Sequence, residues 1–564
     1  MPAVQPESGA GTARQRWLTW QQLLTRVGPE VVVFVALVVF ARHRGQDVNY
    51  DQRNYHFLYA YQFLHGLLAN SDPSLVGQHY FNPLVNVPWT VGVETLSPRV
   101  LTVAVVAVQS LNFALVRRLA ERCLGQRRWL ALLAAGLGIS APTFLSEVGT
   151  SFTDASMSLL VLGALALLLR GGRWAPAVAG VLAGAATGLK LTNAVYVAGL
   201  LAALCWLALA PQGDPAAPRA SRFGPLRWAL AGSAAGAAST YLWWGVYLWR
   251  QTGSPFFPYY NSIFRSELLP PVDLYDQQFR SSGLAGRLRL PYDLTTGQAH
   301  VLEQPLRDAR WLVLVLLAGV LIAARLLRRR PAGQSSPNRA AAAVVVFAVV
   351  SGALWGALFG YARYLVPVEL LSGLLIALGC LAVLRRERTT TVAVALVGVA
   401  LLGWAQIPDW GHQPGFTQTW FDLDPAVLAG LPAEALVVTS QDADPVSYAA
   451  RWLPPTVDLV ALSQGIFRAG HPDLVWEPGR DYLVGTGLDR AVRAKLVAAG
   501  RRGRPIFVLR GATDPSTLLR PFGVLIDAGC RVFPSRTDPG LQLCPAHLDL
   551  ELLNPALLSP APVR

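Results

Sequence analysis

The chain has 564 residues, 53% of them hydrophobic and only 15% charged, against roughly 25% charged in ordinary soluble chains. A purely water-soluble protein is excluded. The net charge of +14, from 48 basic and 34 acidic residues, would raise nucleic acid as a partner in a soluble chain, but here the basic residues sit in short loops between apolar stretches. No basic run is interleaved with aromatics, and nucleic acid is set aside.

The apolar residues gather into uncharged runs such as 31–40, 101–116, 130–145, 175–189 and 340–358. This is how a chain reads when its backbone must satisfy its own hydrogen bonds in lipid. Hydropathy predicts a polytopic α-helical membrane protein with about eleven transmembrane helices. They fall near 28–41, 98–116, 128–145, 154–170, 174–189, 192–210, 227–249, 309–326, 340–359, 363–384 and 389–406.

Residues 1–27 read as a cytoplasmic N-terminal segment with Arg14, Arg16 and Arg26, and 28–406 as the membrane domain. The first span carries no small-residue cleavage site and reads as a retained helix. Alternate loops hold the arginines: Arg117 to Arg128, Arg170 and Arg173, Arg219 to Arg227, Arg325 to Arg339, and Arg385 to Arg388. By the positive-inside rule these face the cytoplasm. Loops 42–97 and 250–308 and the carboxyl end then lie outside, and a bacterial inner (plasma) membrane is the expected location.

Past residue 406 the pattern changes to short β-rich runs over 435–440, 456–462, 481–484 and 505–509, with a helix over 489–499. Residues 407–564 are expected to form an external soluble α/β domain, accessory or acceptor-positioning in role. Gly485-Thr486-Gly487 lacks the third glycine of a dinucleotide fingerprint, so no nucleotide cofactor is expected. Of five cysteines only Cys530 and Cys544 fall in this external part, where a disulfide can form and close a hairpin-like loop. Nothing has zinc-site spacing.

Polar groups at the outer face of the membrane are the informative residues, because charge beside hydrocarbon is costly unless it has a use. Four places qualify. Gln46 to His56 follows the first span and contains Asp47 and Asp51, ahead of Phe57, Tyr61, Leu64 and Leu68 on one helical face. That spacing predicts a helix lying in the interface plane with Asp51 at its start, where the carboxylate could also serve as a cap. Glu147 to Ala155 carries Asp154 at the head of another helix. Gly188 to Asn193 carries Lys190, one of only two lysines in a chain whose 46 other basic residues are arginine. A compact ammonium there suits point-charge contact with phosphate, although a lysine at a membrane edge can also simply snorkel. The fourth place is Gly360 to Pro367, where Arg363 is an arginine on the outer side, beside Tyr364.

Two carboxylates and two cations from separate stretches thus fall on one face of the membrane. Such a set suits a lipid-borne phosphate together with an acceptor hydroxyl that needs a base. The first-loop acid, the second-loop Asp, the Gly188-Leu189-Lys190-Leu191-Thr192 turn and Arg363-Tyr364-Leu365-Val366-Pro367 before an external domain together resemble the C-type glycosyltransferase (GT-C) superfamily. The likeness covers about residues 1–406. The resemblance implies a polyprenyl-phosphate-sugar-dependent glycosyltransferase acting on a glycan, lipid or protein acceptor. It gives the first-loop acid to Asp51 or Asp47 and the second to Asp154, which holds acceptor or a divalent ion (Mg or Mn). Lys190 and Arg363 hold the donor phosphate, and Tyr364 and His56 are further substrate-binding candidates. Members often have two adjacent first-loop acids, whereas Asp47 and Asp51 are four apart, which leaves the base and the use of a metal open. Two other readings use the same lipid-linked sugars, a transporter or flippase and a polymerase or ligase. A transporter would place polar groups on broken helices near mid-membrane, and here the span midpoints are almost uncharged.

Overall fold

The described residues of the expected apolar stretches are largely helical in the computed structural model, which describes residues 9–125, 127–209, 223–274, 278–327, 338–424, 426–441, 444–463 and 485–553. The expected strand over 481–484, Arg219, Arg222 and Arg328 to Arg330 lie outside these residues. α1 (Gly9–Arg44) leads into the first long loop, which carries α2 (Phe57–His65) and α3 (Val87–Thr95). Then come α4 (Pro98–Leu124), α5 (Arg128–Ile139), α6 (Pro142–Glu147), α7 (Asp154–Arg170), α8 (Ala175–Leu189) and α9 (Ala194–Leu209). Further long helices cover Gly224–Thr252, Arg310–Leu327, Arg339–Leu358, Val366–Leu384 and Glu387–Trp404.

Among the described residues, five segments are long and apolar enough to cross a bilayer by length and composition: Pro98–Leu124, Leu191–Leu209, Arg339–Leu358, Ala362–Leu384 and Glu387–Trp404. This is a multi-pass membrane protein. The expected span over 128–145 is not one helix. It breaks at Ser140 and Ala141, and Pro142, which has no N–H to donate backward, opens α6 instead.

Small residues set the closest helix contacts, as expected where lipid removes the hydrophobic drive for association. On α8, Gly180 and Gly184 meet Ala229 and Ser233 of the Gly224–Thr252 helix, and Gly232 and Gly236 return the contact to Ala177 and Val181. A Cβ on Gly184 would sit 2.0 Å from the Ser233 carbonyl oxygen. Gly184→Leu should therefore force these helices apart and lower the thermal midpoint of the detergent-purified protein. An unchanged midpoint would show that the close approach is dispensable.

The carboxyl part builds a six-stranded sheet in the order β4-β3-β5-β8-β6, with β7 beside β8. The strands are β3 (Leu436–Ser440), β4 (Asp458–Leu462), β5 (Ile506–Arg510), β6 (Val524–Ile526), β7 (Arg531–Val532) and β8 (Gln542–Leu548). β3 runs parallel to β4 and β5, and β8 runs antiparallel to β5. Cys530 and Cys544 form a disulfide across β7 and β8, with Cα atoms 4.0 Å apart. The expected helix over 489–499 extends over Gly487–Arg501.

The sheet's core is continuous with the first long loop. Phe57, Leu58, Tyr59 and Trp89 are buried with Trp420, Phe421 and Tyr448, and the Phe57 and Phe421 rings are 4.9 Å apart. The one-faced interfacial helix expected after Asp51 is thus a helix with Phe57, Leu58, Tyr59, Ala60 and Gln62 all buried. Of the face that sequence spacing would lay on lipid, Phe57 is buried against the carboxyl part and Tyr61 and Leu68 pack partly against the same core, while Leu64 stays exposed.

Candidate active site

The first loop is positioned by a two-strand pairing with the segment after the last helix. β1 (Gln46–Asp47) pairs antiparallel with β2 (His412–Gln413). Gly45 makes the turn out of α1 with φ of 94°, and a Cβ there would lie 2.1 Å from the Gln413 carbonyl oxygen, so only glycine fits. This turns Asp47 inward. Its Oδ1 accepts from the Asn49 backbone N (3.0 Å) and Nδ2 (2.8 Å), and its Oδ2 accepts from Asn49 Nδ2 (2.8 Å) and the Ser151 backbone N (2.9 Å). Burial raises the Asp47 carboxyl above its ordinary range, against the opposing pull of His412 and these hydrogen bonds. With both oxygens engaged, Asp47 acts as a brace between the first long loop and the turn before α7.

Asn49 Oδ1 accepts the Gln52 N–H at 2.9 Å and so caps the turn that sequence reasoning gave to Asp51. The next residues, Gln52–His56, form a π-helical turn, and the Asp51 side chain makes no capping bond. Instead Asp51 Oδ2 accepts from Arg363 Nη2 at 3.1 Å and from the Tyr55 hydroxyl at 3.2 Å. Both contacts fall on one oxygen, leaving Oδ1 for another partner. Burial pushes the Asp51 carboxyl up, but Arg363, His56 and the hydrogen bonds from Arg363 and Tyr55 together outweigh it and hold the group below the usual carboxylate range.

Arg363 sits on the short 3-10 turn Ala362–Leu365 that opens the Val366–Leu384 helix. It is only 6% exposed. Its Cζ lies 3.9 Å from the Phe152 ring centroid, 4.9 Å from that of Trp410 and 5.1 Å from that of Tyr361. Its Nε and Nη1 are buried with no hydrogen-bond partner. A guanidinium stripped of water with two idle donors is costly, and an anion would satisfy it.

The second pair lies close by. Lys190 Nζ is 2.5 Å from Asp154 Oδ1 and 4.8 Å from the centroid of the Tyr364 ring. Asp154 makes an ion pair rather than the cap its position suggests, and its Oδ2 is buried without a partner. Glu147 lies at the end of α6, its Oε2 accepting the Ala155 N–H at 2.8 Å and its Oε1 unpartnered. Burial, then repulsion from Asp154, raises Glu147 well above the carboxylate range. α6 is itself pinned by Glu369, whose carboxylate accepts the Thr143 and Phe144 N–H groups at 3.1 and 3.0 Å. The donor set does not fit the divalent ion considered for Asp154. One of its oxygens is taken by Lys190, and among the described residues no three His, Cys, Asp or Glu side chains come together.

His56 is buried behind Asp51, its Nδ1 3.1 Å from Ser151 Oγ. Burial pushes its imidazole down to about 3, as it does for His79. An unfolded chain's histidine protonates near about 6.5. Between those values the unfolded state binds more protons, so these groups' contribution to stability is full above about pH 6.5 and is lost as pH falls toward 3. Thermal midpoints should fall across that window, and His56→Gln should flatten the slope. A midpoint independent of pH there would contradict a neutral buried imidazole.

The structure thus brings Asp51, Arg363, Asp154, Lys190, Tyr364 and His56 together and sets Asp47 beside them as a brace. Sequence reasoning missed Tyr55, Ser151, Phe152, Tyr361 and Trp410. Phe152 and Tyr361 adjoin residues it did single out, whereas nothing in the sequence marks Trp410.

Compared by sequence, the chain matches no family model and no curated protein. Compared by structure, it is similar to ArnT from Cupriavidus metallidurans in the apo state, with 16% identity, a TM-score of 0.52 and coverage of 94% of this chain and 99% of that one. It is similar too to the same enzyme bound to undecaprenyl phosphate, with 15% identity, a TM-score of 0.50 and coverage of 95% and 100%. A third similar structure is the arabinofuranosyltransferase AftD from Mycobacteria, with 13% identity, a TM-score of 0.51 and coverage of 92% of this chain and 40% of that one. The chain shares the fold of these structures. Within that fold the acidic and basic groups come from four segments: the loop after α1, the turn before α7, the turn after α8, and the entrance to the Val366–Leu384 helix.

Proposed function

We propose that this GT-C protein is an inverting glycosyltransferase on the external face of the bacterial inner membrane. It moves a sugar from a polyprenyl-phosphate donor to a hydroxyl of an envelope glycan, lipid or protein. The observation that carries this reading is the Asp51–Arg363 pair: one carboxylate oxygen is left for a hydroxyl, and two guanidinium donors are left for an anion. That a GT-C structure is bound to undecaprenyl phosphate supports the lipid phosphate as the anion.

A neutral hydroxyl is a poor nucleophile, so Asp51 takes its proton as the acceptor oxygen attacks the sugar's anomeric carbon. The bond from that carbon to the phosphate oxygen breaks on the opposite face. The electron pair leaves with the phosphate, and Arg363 and Lys190 meet the charge that develops there. Asp154 holds the Lys190 ammonium. No step is assigned to a divalent ion. Residues 1–27 are cytoplasmic in this reading, 28–406 cross the membrane in about eleven spans, and 407–564 are external.

Purified protein given a panel of polyprenyl-phosphate sugars should transfer or slowly hydrolyse one of them. Movement of intact donors across vesicles with neither reaction would replace the enzyme by a transporter. A reporter fused after Asp549 should be active only outside the cytoplasm, and cytoplasmic activity would overturn the orientation.

A further inference from the structure

Arg363 is clamped by a residue from beyond the last helix. Trp410 faces its guanidinium at 4.9 Å, meets the Phe152 ring at 67° with centroids 5.3 Å apart, and donates its indole N–H to Ser146 Oγ at 3.1 Å. The segment carrying it is tied down on both sides. Before it, Gln406 and Arg307 exchange backbone hydrogen bonds (3.1 and 3.3 Å), and Arg44 Nη2 donates to the Pro408 carbonyl at 3.0 Å and pairs with Asp409 at 3.1 Å. After it, Gly411 turns the chain with φ of 111°, its carbonyl accepts the Val48 N–H at 3.0 Å, and β2 joins β1. The indole is thus held by the same strap that positions Asp47.

We propose that Trp410 is a positioning residue for the donor phosphate. It holds the Arg363 guanidinium against the joined Phe152 and Trp410 rings so that Nη2 meets Asp51 while Nε and Nη1 stay free for the anion. A free arginine side chain samples many rotamers, and ordering it in advance removes that cost from donor binding. The strap after the last span, and not the membrane part alone, then completes the donor site. This inference rests on the donor-phosphate reading above.

The test uses the full-length protein in detergent with undecaprenyl phosphate as the probe. Trp410→Leu stays apolar but has no ring face, and should weaken binding about tenfold, within the range of a desolvated cation–π contact. Trp410→Phe restores a face without the N–H and should recover most of the affinity. Arg363→Ala should weaken binding further, and adding Trp410→Leu to it should cost nothing more, because Trp410 acts only through Arg363. Normal affinity in Trp410→Leu, or full additivity in the double variant, overturns the proposal while leaving the donor site standing. Unchanged affinity in Arg363→Ala would instead remove the donor-phosphate reading itself. Equal losses in the Phe and Leu variants would mean that the ring face is not what holds the guanidinium, which also overturns the proposal.

Discussion

Asp51→Asn is expected to slow sugar transfer by about 10²–10⁴, the usual cost of losing a general base, while leaving donor binding intact. The amide keeps the size of the side chain and can still meet Tyr55, but it has no basic oxygen for the acceptor proton. Arg363 loses its anionic partner, which frees Nη2 to join the two donors already idle, so affinity for the lipid phosphate should hold or rise. Single-turnover rates with saturating donor, alongside a separate measurement of donor affinity, distinguish the two effects. Asp47→Asn should behave differently. It turns one acceptor oxygen into an NH2 donor, so either the buried Ser151 N–H or the Asn49 N–H groups lose their acceptor, and hydrogen bonds to charged groups contribute about 1.5–3 kcal/mol. Its first symptom should be lower stability. If Asp47→Asn stops chemistry in a stable protein and Asp51→Asn does not, the two roles are reversed.

Arg363→Ala should weaken donor binding by about two orders of magnitude or more. Hydrogen bonds to charged groups contribute about 1.5–3 kcal/mol each, Arg363 has two idle nitrogens to offer the anion, and Asp51 would also lose the charge that keeps it ionised. Arg363→Lys should rescue little, because an ammonium can neither lie flat against the Phe152 and Trp410 rings nor present a planar fork. Titration with undecaprenyl phosphate reads the loss directly. Equal affinity in wild type, Ala and Lys variants would place the phosphate elsewhere.

The contrast between Asp51 and Asp47 marks where sequence reasoning stops. Both are carboxylates in the first long loop, and both were candidates for the base. What separates them is hydrogen-bond saturation: Asp47 spends both oxygens on Asn49 and Ser151, and Asp51 spends one on Arg363 and Tyr55. Ser151 and Arg363 reach the site only through the packing of other helices. The α2 helix shows the same limit. Its apolar spacing reads equally well as a lipid-facing or a protein-facing stripe, and the presence of Phe421 and Trp420 against it is a fact of chain return.

The sequence by itself determined that the chain lives in a membrane, where its helices run, and that charge sits where charge is expensive. Those features follow from local hydropathy, from proline and glycine geometry, and from the cost of placing Asp154, Lys190 and Arg363 beside hydrocarbon. Tertiary structure alone decided which acid has an open oxygen, that Lys190 is neutralised by Asp154, and that Trp410 from beyond the last helix covers Arg363. The reason is physical: burial, hydrogen-bond saturation and ring stacking depend on which distant segments meet, and in this chain β1 and β2 bring the two ends of the membrane domain together.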